Sequence, residues 1–263
     1  MLPIKDTVTI VTGSSSGIGA ATVRMLAENG GHVVINYSKS AAAAEQVAAD
    51  CRAHGVEALV CRADVGSEAD RLRLVDETMQ KFGKVTGLVN NAGTTVFVDH
   101  ANLAGLSEED FHNIYRLNVV GAFMMTRACE PHMRAGGSGS VVNISSVAGV
   151  MGVGSSIAYA ASKGALNTMT LSLARVLGPE IRVNTVCPGF VVGEWLKNGM
   201  GAEKYEATRA ALAKGTALHK PGGTPEDMAE AVVWFLYGAR HITGEFLLTD
   251  GGQHLGQAPL VAR

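Results

Sequence analysis

Short, almost unbroken apolar runs alternate along the chain with longer stretches in which alanine and polar residues share a helical period. The runs "TVTIV" (7–11), "HVVINY" (32–37), "EALVCR" (57–62), "TGLVN" (86–90), "SVVNI" (140–144), "IRVNTVC" (181–187) and "EFLLT" (245–249) predict seven strands. They are too uniformly apolar for a sheet with one wet face, which predicts parallel strands covered on both sides. Helices are expected between them, over 17–29, 40–54, 67–82, 107–134, 155–178 and 224–238. Ser107 with Asp110 reads as a capping box opening the fourth helix, and Pro225 after Thr224 suits the first turn of the last. No internal repeat and no shift in composition marks a second domain. The chain, 1–263, is therefore expected to form one α/β domain, a doubly wound parallel seven-stranded sheet with helices on both faces. In such a sheet ligands sit at the carboxyl ends of the strands.

Composition narrows the function classes. With 263 residues, 47% hydrophobic and 17% charged, the chain can bury a substantial core. A net charge of −2 and a pI near 6.4 give no reason to expect nucleic acid or an anionic membrane as partner. No apolar run reaches the ~18 residues of a membrane span. The opening "MLPIKDTVTIVTG" runs almost at once into a strand, which leaves no room for a signal peptide. Cys51, Cys61, Cys129 and Cys187 show no paired spacing and read as reduced, mostly buried thiols of a cytoplasmic protein.

Two constellations carry chemistry. In "TGSSSGIG" (12–19), Gly13, Gly17 and Gly19 fall at the first strand-to-helix turn, with Ser15, Ser16 and Ile18 among them. Free N–H groups and the helix dipole favour an anion there, such as a dinucleotide pyrophosphate. The spacing is G-x-x-x-G-x-G rather than G-x-G-x-x-G, and no Lys-Ser or Lys-Thr follows to make a phosphate loop. In "AYAASKGAL", Tyr159 and Lys163 stand four residues apart and share a helix face. A phenol with a pKa of about 10 is a poor base near neutrality, but a neighbouring ammonium favours phenolate. Ser146, just past the strand "SVVNI", stands where its hydroxyl can bond the same substrate oxygen.

"TGSSSGIG", "NNAG" (90–93), "LNVVGAF" (117–123), "NISS" (143–146), "YAASK" (159–163) and "IRVNTVCPG" (181–189) together resemble the short-chain dehydrogenase/reductase family over essentially the whole chain. The resemblance implies a Rossmann-like sheet and a catalytic tetrad. In it, Asn118 supports a water relay to the lysine and Ser146 polarises the substrate carbonyl. Tyr159 is then the general acid in reduction and the general base in oxidation. Lys163 lowers the tyrosine pKa and holds the nicotinamide ribose. For the cofactor, it implies that Asp64 and Val65 bracket the adenine, and that Asn91, Ala92 and Gly93 line the adenine-side ribose. Asn90 braces the neighbouring strands, and Pro188, Gly189 and Val191 position the nicotinamide amide. Gly193 stands where many members carry threonine, which leaves backbone groups or Thr185 to compensate.

At the end of the second strand, an acid would accept hydrogen bonds from the ribose 2′-hydroxyl of NAD. Here Tyr37 takes that place, followed by Ser38 and Lys39, so NADP is favoured over NAD. The leading function is an NAD(P)(H)-dependent oxidoreductase interconverting a ketone and a secondary alcohol, in the manner of a carbonyl or 3-oxoacyl-thioester reductase. An NAD-dependent sugar, polyol or alcohol dehydrogenase is the alternative, and a catalytically silent nucleotide-binding member is a third reading. Substrate specificity is expected from the loop 147–156, with Val150, Met151 and Val153, and from a lid about 190–215 carrying Trp195. Both long helices carry apolar and small residues on more than one face, and with the resemblance this implies a homotetramer.

Overall fold

The computed structural model describes residues 4–256, so residues 1–3 and 257–263 of the expected 1–263 unit lie outside the described residues. Seven parallel strands form one sheet in the order β3-β2-β1-β4-β5-β6-β7. They are β1 (Val8–Val11), β2 (His32–Tyr37), β3 (Ala58–Arg62), β4 (Gly87–Asn90), β5 (Gly139–Ile144), β6 (Ile181–Pro188) and β7 (Phe246–Thr249). Each falls within a residue or so of its apolar run. Along β1, Val8 and Ile10 pack with Val34, Leu88, Val141 and Val183 on one face, while Val11 packs with Ile35, Val89 and Val142 on the other. Both faces are dry, which is why no alternation shows in the sequence.

The first face is covered by α3 (Glu68–Phe82), α5 (Ala122–Ala135) and α7 (Ile157–Leu177), through Leu74, Met125 and Leu173. The second is covered by α1 (Gly17–Glu28), α2 (Ala41–Arg52) and α10 (Pro225–Val233), through Leu26, Val47 and Val232. Strand order reverses at β1, which pairs with β2 on one side (Val8↔His32) and β4 on the other (Ile10↔Leu88). A crevice therefore opens beyond the carboxyl ends of β1 and β4.

Two helices expected to be continuous are interrupted. Residues 107–134 form α4 (Glu108–Tyr115), a π turn at Arg116–Gly121, and then α5. Ser107 and Asp110 do make the capping box that opens α4. The turn shifts the phase of the helix, but apolar and small residues run unbroken from Val119 to Phe123, so sequence patterning gives no sign of it. Residues 224–238 likewise form α10, opened by a Thr224–Asp227 capping box with Pro225 at its start, and end in a π turn at Trp234–Gly238. The loop 147–156 contains a single turn, α6 (Ala148–Met151), and the segment beyond β6 folds into α8 (Glu194–Met200) and α9 (Ala202–Gly215).

The second π turn swings Tyr237 under the sheet. Its hydroxyl lies 2.6 Å from Thr9 Oγ1 and 3.2 Å from Thr86 Oγ1. A Cβ on Gly87 would come within 2.9 Å of that hydroxyl, so the glycine makes room for it. Tyr237→Phe leaves the ring in place and strips buried Thr9 and half-buried Thr86 of a partner. The expected loss is about 1–3 kcal/mol in chemical denaturation, and an unchanged midpoint would show that the turn is not held this way.

Candidate active site

The glycine turn is braced from beneath by a residue the motifs do not include. Asn36, buried in β2, accepts the Gly13 N–H at 3.0 Å through its side-chain oxygen and donates through its amide to the Ala63 carbonyl at 3.0 Å. Ser14 N–H donates to the Asn36 carbonyl at 2.8 Å, and the Asn36 N–H donates to Ser14 Oγ at 3.0 Å. Across the crevice, Asn91 donates to the carbonyls of Thr12 (2.9 Å) and Gly13 (3.0 Å). The ends of β1, β2, β3 and β4 are thereby locked together. A lone asparagine inside "VVINY" is the sequence signal that could have found Asn36.

The three glycines turn out to have separate reasons. Gly13 has φ +62° and touches Ala92, whose Cα would lie 3.1 Å from an added Cβ. Gly19 is packed against Asn91, Gly13 and Ser14, all under 3.0 Å from such a Cβ. Gly17 has φ +55° and nothing within 4 Å, so it faces open space. Ser16 starts α1 without a side-chain cap, leaving the first-turn N–H groups directed into that space. A cradle of this kind fits a pyrophosphate. Tyr37 closes β2, and Ser38 and Lys39 follow it, both exposed. Asp64 is exposed beyond β3 and accepts from Gly66 N–H at 2.8 Å, with Arg116 Nη1 at 3.5 Å. Val65 differs from a simple adenine bracket. Its side chain is buried in the core and its carbonyl accepts from Arg71 at 2.7 Å.

The reactive side chains meet at the ends of β5 and β6. Ser156 caps α7 by accepting the Tyr159 N–H at 3.2 Å, fixing the first turn that carries the tyrosine. One turn on, Lys163 is 5% exposed, with Nζ donating to the Ile144 carbonyl at 2.7 Å and lying 5.5 Å from the Tyr159 ring centroid. Ser146 Oγ accepts from Ala148 N–H at 3.1 Å and donates to the Pro188 carbonyl at 3.4 Å, close to the Tyr159 phenol. Asn118 sits in the first π turn, fully engaged: its oxygen accepts from Thr94 N–H (2.8 Å) and its amide donates to the Thr94 carbonyl (3.0 Å) and Ser162 Oγ (3.1 Å). A Cβ on Gly93 would lie 3.3 Å from Asn118 Oδ1 and 3.7 Å from Lys163 Nζ, so these three positions adjoin.

Beneath them runs a buried polar ladder. Asn90 donates to Asn143 at 2.8 Å, Asn143 donates to Thr170 at 2.9 Å, and Thr170 and Thr185 hydroxyls lie 2.8 Å apart. It ties β4, β5, β6 and α7 into one frame. Thr185 is fully buried within it and cannot stand in for the hydroxyl missing at Gly193. Burial pushes the Tyr159 phenol up to about 12, opposed by the neighbouring Ser146 hydroxyl. Burial also pushes the Lys163 ammonium down to about 8. Tyr159 therefore keeps its proton at neutral pH, the state of an acid rather than a base.

This geometry has close counterparts. The chain matches the short chain dehydrogenase family over residues 7–203. The chain belongs to that family. It is 44% identical over 248 residues to a Streptomyces violaceoruber protein assigned as ketoacyl reductase 2 of granaticin polyketide synthase, covering 94% of this chain and 96% of the relative. A crystal structure assigned to the same family, from Burkholderia xenovorans, superposes with a TM-score of 0.87 at 39% identity, covering 95% and 98% of the two chains. That of NAD+-bound xylitol dehydrogenase superposes at 0.85 with 28% identity, covering 95% and 99%. The chain is thus a short-chain dehydrogenase/reductase, an enzyme of carbonyl and alcohol groups that uses a nicotinamide dinucleotide.

In this dehydrogenase, Pro188 ends β6, Gly189 follows, and Val191 forms a bridge with Gly223 that pins the root of the segment carrying α8 and α9. Gly193 N–H donates to the Tyr205 hydroxyl at 3.0 Å, and its φ of +153° suits glycine better than threonine. Met151 and Val153 are exposed on the loop before α7, and Trp195 is exposed on α8 with its ring centroid 6.3 Å from Tyr159. Phe97, which no motif singles out, lies 5.8 Å from Trp195.

The lysine gives the enzyme a pH signature. With its pKa lowered from the usual lysine range to about 8, Lys163 holds its charge at pH 7 and loses it as pH rises through that value. Ketone reduction should fall along a limb near pH 8, and Lys163→Arg, which stays protonated, should lose that limb even if slower. An identical limb in Lys163→Arg would assign the titration to another group.

Proposed function

We propose that the enzyme is a carbonyl reductase that takes NADPH and reduces a medium-sized, largely apolar ketone, with Asn118, Ser146, Tyr159 and Lys163 as its working residues. The observation that carries this reading is the placing of Tyr159 and Lys163 on one helix face at the end of β5, with Lys163 Nζ on the Ile144 carbonyl and 5.5 Å from the Tyr159 ring centroid. The nicotinamide, when bound, supplies the two electrons that the carbonyl carbon accepts. Tyr159 gives its proton to the carbonyl oxygen as charge develops there, and Ser146 holds that oxygen by a hydrogen bond. Lys163 stabilises the phenolate left behind and is positioned to recover a proton. Because the Asn118 side chain is fully engaged, its part is to hold the π turn and Thr94 against Lys163. Any water it binds must be held by its main chain.

The cradle at Gly13, Ser15, Ser16, Gly17, Ile18 and Gly19 takes the pyrophosphate. Asp64, the Val65 main chain, Asn91, Ala92 and Gly93 line the adenosine half, and Pro188, Gly189 and Val191 the nicotinamide. The lid, 190–215, covers the substrate. The preference for NADPH is supported by the lack of an acid at Tyr37 and Ser38 and by Lys39, which is exposed and makes no ion pair among the described residues. Likeness to NAD+-bound xylitol dehydrogenase supports a second reading, an NAD-dependent polyol dehydrogenase. The relative's name supports a 3-oxoacyl thioester among the ketones. Exposed Val120 in the first π turn, Phe123 on α5, Val176 on α7 and Trp234 after α10 support assembly as a homotetramer.

Tyr159→Phe keeps the ring and removes the proton donor, so turnover should drop roughly 10²–10⁴-fold with NADPH binding retained. Near-normal turnover in that variant would end the mechanism. Lys39→Ala should weaken NADPH by about 1–3 kcal/mol and leave NADH nearly unchanged in a binding titration. If wild-type protein binds NADH more tightly than NADPH, the polyol reading takes precedence.

A further inference from the structure

A continuous run of aromatic rings leads away from the Tyr159 phenol. The Trp195 ring stands 6.3 Å from that of Tyr159 and 5.8 Å from that of Phe97, tilted by 48° and 59°. These are the separations at which ring quadrupoles attract in tilted geometry. The indole, 52% exposed, still has much of its surface free for a third partner.

Phe97 is fixed from both sides. Its segment is tied to the residues before α7, with Val98 N–H donating to the Ser155 carbonyl at 2.9 Å and the Thr95 and Ser155 hydroxyls 2.7 Å apart. Its ring rests on Gly199 of α8, where an added Cβ would fall 2.0 Å from Phe97 Cε2. Gly199 is therefore the seat that lets the lid close onto the phenylalanine. The lid's charges turn to one another, Lys197 Nζ lying 4.0 Å from Glu194 Oε1. On the neighbouring loop, Val150, Met151 and Val153 are exposed, and Gly154 leaves the edge of the Tyr159 ring uncovered, a Cβ there lying 3.7 Å from Tyr159 Cδ1.

We propose that Phe97 and Trp195 read an aromatic ring in the substrate, so that the preferred ketones carry a fused or pendant arene beside the reacting carbonyl. The inference rests on the carbonyl-reductase reading and sharpens its substrate class. A saturated ring of the same size gains only from the area it buries. An arene gains in addition from edge and face contacts with two fixed rings, and it loses little conformational freedom on binding. Phe97 and Trp195 are thus specificity-determining residues, with Gly199 as the position that seats one of them.

The test compares 2-tetralone with trans-2-decalone, which share a bicyclic skeleton and place an unconjugated carbonyl at the same carbon. The readout is the ratio of their kcat/KM values with whichever of NADPH and NADH supports turnover. Wild-type enzyme should favour 2-tetralone roughly tenfold, the scale of two aromatic contacts. Phe97→Leu and Trp195→Leu should each bring the ratio towards one, and Gly199→Ala, which must displace the Phe97 ring, should lower it with both aromatics present. A wild-type ratio near one, or a ratio unchanged in both leucine variants, would mean that the rings only latch the lid, and the inference falls. Failure of the wild type to reduce either ketone would count against the carbonyl-reductase reading instead. Quenching of Trp195 fluorescence, taken as the difference between wild type and Trp195→Phe, then decides the inference: tighter binding of 2-tetralone than of trans-2-decalone upholds it, and equal binding overturns it.

Discussion

An ammonium taken out of water gives up its proton unless something nearby holds the charge, and Lys163, only 5% exposed, has the carbonyl of Ile144 at 2.7 Å. Much of the fold serves that one bond. For Nζ to reach the end of β5, α7 must lie hard against the loop that follows the strand. Gly149 permits it, since a Cβ there would sit 2.5 Å from the Lys163 carbonyl carbon. Ser145 Oγ donates to the Lys163 carbonyl at 3.1 Å, and the Asn143–Thr170–Thr185 ladder pins the next turns of the helix to β5 and β6. From the other side, Asn118 donates to Ser162 and holds Thr94. The compromise is a lysine near 8 beside a tyrosine near 12, both protonated at neutrality.

The same packing explains what could be read from the chain. The strands were legible because a sheet dry on both faces demands unbroken apolar runs. Spacing put the tyrosine and lysine on one helix face, but their expected roles came from the resemblance to the family. The π turn at Arg116–Gly121 was not legible, because apolar and small residues run unbroken from Val119 to Phe123 and leave no gap in the pattern to mark the change of phase. What it packs against lies outside the helix. Gly121 comes up against the Val65 carbonyl, 3.2 Å from a Cβ built there, so the turn passes that contact on a glycine while Asn118 is held on Thr94. A constraint between residues so far apart in sequence leaves no local trace.

The glycine turn shows a subtler limit. Read as a string, Gly13, Gly17 and Gly19 share one explanation, close approach of a ligand. In the folded chain only Gly17 faces open space, while Gly13 and Gly19 are held small by Ala92 and Asn91. Two of the three are thus consequences of joining β1 to β4, with Asn36 closing the same joint from β2. The cradle's shape comes from protein packing, so the anion site is rigid independently of what it binds.

The lid divides in the opposite way. Its root is fastened by the Val191–Gly223 bridge, by Gly193 N–H on the Tyr205 hydroxyl, and by the Phe190 ring, tilted against that of Tyr205 at 5.3 Å. Its tip meets Tyr159 and Phe97 through the Trp195 ring, and Phe97 again at Gly199. Gly201, at φ +84°, separates the two helices of the lid and faces nothing within 4 Å. A segment anchored by hydrogen bonds at one end and held by aromatic contacts at the other can open at the second without disturbing the first. The glycine at 193 then has a structural reason: its N–H serves the clasp, and the contact that threonine would make has been given over to Tyr205. In the proposed reading, chemistry is fixed by the sheet edge, and substrate choice is left to the tip of the lid.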